Sequence, residues 1–143
     1  MILLDTNVLS ALMQRRPEPS VVAWLDVQAA EAVFITSITL FEARYGLAVL
    51  AEGRRKARLQ KQLDALVSED LDYRIAVFDS RAADRAAELA AERKRLGRPV
   101  DIRDTFIAGI ALAHGATLAT RNTRHFDDLP VPVINPWEAG LEA

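Results

Sequence analysis

Residues 1–12 read MILLDTNVLSAL, with a carboxylate at position 5 between two apolar runs. Ile2–Leu4 is short, aliphatic and partly β-branched, which reads as a buried strand. Val8, Leu9 and Leu12 return at three- and four-residue steps, which reads as a helix over 6–13. Asp5 therefore stands at the carboxyl end of a strand, before the chain has built anything to pair its charge.

The same two patterns alternate along the rest of the chain. Strand-like runs fall at 32–37, 73–78, 116–120 and 131–134, and helical runs at 20–30, 39–51, 54–68, 80–96 and 102–114. The strands are apolar at successive residues, as in a parallel sheet covered on both faces. The expected fold is α/β, a three-layer α/β/α sandwich around a central parallel sheet, in one domain over 1–143. Gly53, Gly97 and Gly115 punctuate the helices.

Composition narrows the chemistry. The chain has no cysteine, so any metal must be held by oxygen or histidine, and a reducing cytoplasm fits. The opening apolar run is broken by Asp5 and has no basic residue before it, so no signal peptide or membrane span is expected. A formal charge of −2 lacks the excess of a bulk nucleic-acid binder, and contacts to nucleic acid must come from local patches.

In an open parallel sheet, ligands gather at the carboxyl ends of the strands. Asp5 is open to two roles there, N-cap of the first helix or ligand in a cleft. Glu42 follows Thr39 by three residues, and TLFE reads as a capping box in the first turn of the helix after the second strand. Asp101 and Asp104 open the helix IRDTFIAGIALAHG, with Asp101 as N-cap and Asp104 in the first turn. The stretch ATRNTRHFDDL brings Thr120, Asn122, Asp127 and Asp128 near another strand end, where a polar turn is the ordinary reading. His114 and His125 lack zinc-pair spacing, and no histidine chemistry is expected. Were Asp5, Glu42 and Asp104 to meet at one edge, they would repel and raise one another's pKa. A divalent ion such as magnesium or manganese relieves that, polarises a phosphodiester and acidifies a bound water.

With these acids in view, the chain resembles a PIN domain, and within that group the VapC-type toxins of bacterial toxin–antitoxin pairs. LLDTNVLSAL, ITLFEARYGL, DIRDTFIAGIALAHGATLATRN and HFDDLPVPVINPW carry the likeness in order along nearly the whole chain. The resemblance implies a Mg2+- or Mn2+-dependent endoribonuclease, a homodimer, and a cognate antitoxin protein that occupies the site. It matches Asp5, Glu42 and Asp104 to the metal-binding catalytic acids, with Thr6, Asn7 and Thr120 in support. Asn122 falls where many members carry a fourth acid and others an asparagine; its uncharged amide favours one metal over two, or acts through water. Candidate RNA contacts are Arg44, Arg103, Arg121 and Arg124. Arg54, Arg55, Lys56 and Arg58 are a solvated face or an antitoxin contact.

Three other readings compete. A haloacid-dehalogenase-like phosphatase needs a second aspartate two residues after the first, where this chain has Asn7. A response-regulator receiver, with Asp79 as phosphoacceptor, wants a lysine after its last strand, and none occurs beyond Lys94. A degenerate PIN-like binding module is countered by acids at all three matched positions.

Overall fold

The computed structural model describes residues 1–139. Its elements run β1 (Ile2–Leu4), α1 (Thr6–Leu12), α2 (Pro19–Asp26), β2 (Val33–Thr36), α3 (Ser37–Ala48), α4 (Arg54–Ala65), β3 (Ile75–Ala76), α5 (Ser80–Arg95), α6 (Ile102–His114), β4 (Thr117–Ala119) and β5 (Val133–Ile134). The strands form one parallel sheet in the order β3-β2-β1-β4-β5. Strand order turns back at β1, which pairs Leu4 with Ile35 of β2 on one side and with Ala119 of β4 on the other. This is the α/β sandwich expected from the alternation. The crevice above β1 and β4 is its switch point.

Successive side chains of β1 feed opposite faces, as strand geometry requires. Leu4 joins Val8, Leu9, Val21, Ile35 and Leu63 under the first four helices. Leu3 joins Ile107, Ile110, Leu118 and Phe126 under α5 and α6. Each face therefore has its own apolar core, and among the charged residues of the helices Arg93 of α5 is buried.

Most boundaries shift by a few residues from the periodic reading, the helices expected to end at 30, 51 and 68 closing at Asp26, Ala48 and Ala65. The third strand is paired only at Ile75–Ala76, because a π turn at Leu66–Asp70 and left-handed residues Asp72 and Tyr73 bend the approach to it. The last strand is paired only at Val133–Ile134. α3 starts at Ser37 rather than 39, because the Thr36 hydroxyl at the end of β2 accepts from the Thr39 amide at 3.0 Å and caps the helix.

Helices α5 and α6 approach closely at Gly109. A Cβ there would lie 2.5 Å from the Ala82 carbonyl oxygen and 2.7 Å from the Ala86 Cβ. Backbone cannot yield as a side chain can, so Gly109→Ala must push the two helices apart. Urea unfolding is expected to show a loss of about 1–3 kcal/mol. An unchanged midpoint would contradict this packing.

Candidate active site

Asp5 is the first residue past β1, and its amide continues the ladder by donating to the Ala119 carbonyl at 2.9 Å. Its side chain caps α1, with Oδ1 accepting from the Thr6 amide at 2.8 Å. Oδ2 accepts from the Thr120 hydroxyl at 2.7 Å and from the Asn7 side-chain amide at 3.3 Å. The cap and the cleft are thus one position. Asp5 is 3% exposed, and its pKa is pushed up to about 6. Burial is the main cause; the Thr120 and Thr6 bonds oppose it, and the charges of Asp104 and Glu42 add to it. Desolvation therefore outweighs the mutual repulsion expected from the sequence.

Glu42 lies one turn beyond the helix start and does not close a capping box. The N-cap is Thr36, and the Glu42 Oε1 instead accepts from the Thr6 hydroxyl at 2.8 Å, joining α3 to α1. The Arg103 guanidinium stands 3.6 Å from its other oxygen and 3.5 Å from Asp101. Asp101 caps α6 as expected, accepting from the Arg103 amide at 2.9 Å.

Asp104 is in the first turn of α6, and its Oδ2 lies 2.7 Å from His125 Nδ1. A carboxylate only accepts, so Nδ1–H donates. Spacing between the histidines carries no trace of this pairing, since its partner is an acid 21 residues away. Asn7 links the neighbouring strand end: its amide nitrogen is 3.3 Å from the Thr120 hydroxyl, and its oxygen accepts from the Arg121 amide at 3.1 Å. The Asn122 backbone amide donates to Thr120 Oγ1 at 3.0 Å, which brings Asn122 beside Asp5's own partner.

The arginines divide. Arg103 faces Glu42, whereas Arg44 is drawn away from the acids into a 2.7 Å pair with Asp64 of α4. The Arg121 guanidinium stacks 4.9 Å over Trp137, and the Arg124 carbonyl is held by Arg98. A groove of about 610 Å3 opens from Thr6 and Glu42, with Met13, Leu47 and Leu59 in its lining and Arg15, Arg55 and Arg58 beside them.

A family model described as a PIN domain matches residues 2–132. The chain belongs to the PIN-domain family. It is 40% identical over 138 residues to the VapC ribonuclease Y4jK of Sinorhizobium fredii, covering 96% of this chain and 99% of that one. It is 39% identical to the toxin FitB of Neisseria gonorrhoeae, over 96% of this PIN domain and 99% of the relative. A solved structure of FitAB bound to an IR36 DNA fragment is similar with a TM-score of 0.87 at 38% identity, covering 96% of each chain.

This PIN domain offers a cation oxygen donors at the switch point, around a buried acid whose charge burial disfavours. Among the described residues, no three acidic or imidazole side chains stand close enough to hold one ion directly. The expected three-carboxylate cage is therefore looser than the sequence suggested. That donor set fits a small hard ion that keeps several waters and takes only one or two carboxylates, as magnesium does.

The raised pKa of Asp5 has a stability consequence in metal-free protein. Unfolded, the group ionises near 3.8; folded, it holds its proton to about 6. Its stability contribution is intact below pH 3.8 and is lost as pH rises through 6, by about 3 kcal/mol. Asp5→Asn cannot ionise. With chelator present, its urea midpoint relative to wild type is expected to rise between pH 4 and pH 7.5; a difference that stays constant would contradict the burial argument.

Proposed function

We propose that this PIN domain is the ribonuclease toxin of a toxin–antitoxin pair, hydrolysing RNA phosphodiester bonds with magnesium or manganese held at Asp5, Glu42 and Asp104 directly or through its bound waters. The observation that carries the reading is near-full-length identity to a VapC ribonuclease in a chain whose buried Asp5 feels the charges of both other acids. When bound, such an ion supplies Lewis-acid polarisation of the phosphate and a more acidic water.

The protein's own contribution is positioning. Thr120, Asn7 and the Thr6 amide hold the Asp5 carboxylate at two oxygens, and the Thr6 hydroxyl aims Glu42. Each acid is thus orientated by a neighbour, the arrangement that keeps a metal ligand in place. Arg103, Arg121 and Arg124 supply positive charge for RNA phosphates, and Asn122 belongs to the same rim. Arg44, paired with Asp64, is a weaker candidate for that task.

The antitoxin belongs to the same proposal. The groove beside Glu42 combines an apolar lining with Arg15, Arg55 and Arg58, which suits a peptide carrying both apolar and acidic side chains. A homodimer and a cytoplasmic setting complete it. Phe41 and Tyr45 of α3, with Val49 just past its end, form an exposed apolar stripe that a second copy would cover. No helix among the described residues is long and apolar enough to cross a membrane.

Purified protein freed of any antitoxin is expected to cut a mixed RNA pool with magnesium or manganese and to stop when the ion is chelated. Asp5→Asn and Asp104→Asn should each slow cleavage roughly a hundredfold or more, in line with several kcal/mol of lost transition-state stabilisation. Cleavage that continues at full rate in Asp5→Asn, or in chelator, would overturn the assignment.

A further inference from the structure

Arg93, near the end of α5, is 2% exposed, and it is the one charged residue among the largest fully buried side chains of the described residues. Its guanidinium grips Asp128 through two bonds of 2.9 Å. Nη2 also donates to the His125 carbonyl at 2.8 Å, and Nη1 to the Thr105 hydroxyl at 3.3 Å. Asp128 is held ionised, its pKa lowered chiefly by the Arg93 bond.

These partners share one feature. Thr105 follows Asp104 in the chain, and the His125 ring bonds the Asp104 carboxylate. Arg93, Thr105, Asp104 and His125 therefore close a ring across α5, α6 and the loop after β4. We propose that Arg93 is a positioning residue of the active site, which fixes His125 against Asp104 so that the acid meets its cation in one orientation. The inference rests on the cation-dependent reading above.

The fold does not need this charge to hold the loop. Phe126 is fully buried between Leu118 and the α6 residues Ile107 and Ile110, and it anchors the same segment by apolar contact. A buried ion pair is in general replaceable by apolar groups at little cost in stability, so burial alone gives no reason for a guanidinium. What an apolar residue lacks is the directional hold on the His125 carbonyl and on Thr105. A lysine presents a point charge and cannot serve Asp128, His125 and Thr105 together. With Oδ2 committed to His125, Asp104 has its remaining oxygen to offer. Groups that orientate a ligand in this way are worth about 10- to 100-fold in metal affinity.

The test uses the full chain without RNA. Manganese affinity is measured by titration calorimetry for wild type, Arg93→Met, His125→Ala and the double variant, and the His125 ring nitrogens are followed by 15N NMR. Both single variants are expected to weaken manganese binding by about tenfold or more. The double variant should lose no more than His125→Ala alone, since Arg93 acts through His125. Arg93→Met should also shift the Nδ1 resonance, and in RNA cleavage lower kcat with KM little changed. A lower melting temperature with unaltered manganese affinity and an unmoved resonance would overturn the proposal, as would losses that multiply in the double variant. If Arg93→Met does not fold, Arg93→Lys and Asp128→Asn are read by the same criteria. Wild-type protein that binds no manganese contradicts the proposed cation, and the His125 resonance then decides the positioning role by itself.

Discussion

The structure turns on a carboxylate placed in a crevice where water barely reaches it. Asp5 leaves the central strand at the point where strand order reverses, and the sheet that flanks it on both sides removes its solvent. Three donors, the Thr6 amide, the Thr120 hydroxyl and the Asn7 side chain, recover part of the lost hydration. They do not recover all of it, because the carboxyl still holds its proton to about pH 6. A site poised in this way gains most from a partner that brings full positive charge.

That constraint organises what surrounds it. Thr6 caps nothing itself; its amide serves Asp5 and its hydroxyl serves Glu42, so one residue aims two acids. Other side chains serve its two neighbours: Arg103 faces Glu42, and His125 faces Asp104. Two of the three acids thus have protein counter-groups within reach, while the most buried one is served by neutral donors. Membership of the PIN-domain family gives this asymmetry its chemical meaning, since the proposed RNA-cutting reaction places its cation where Asp5 is.

Much of this was legible in the chain. Continuous apolar strands alternating with amphipathic helices imply a parallel sheet, and its strand ends imply where Asp5 and Glu42 lie. Local signals failed where tertiary partners took over. TLFE is a sound capping pattern at Thr39, yet Thr36 caps the helix, and Glu42 turns to Thr6, 36 residues away in sequence. His125 bonds an acid 21 residues away, and Arg93 reaches 35 residues to Asp128; no periodicity records either. Nor does a pattern announce the return of the chain over residues 97–101 that brings α6 to the site. Arg44 looks like a cleft residue from its nearness to Glu42, but a step of two residues along a helix points it away, toward Asp64.

The proposed RNA-cutting reaction requires one divalent ion held over Asp5 by acids from three separate elements. Anomalous diffraction from crystals grown with manganese tests it most directly. The account predicts a single peak with the Asp5 carboxylate as a ligand and Glu42 and Asp104 attached directly or through water. No peak at the carboxyl end of β1, or one bound elsewhere while Asp5 stays bonded only to Thr6, Asn7 and Thr120, would contradict it.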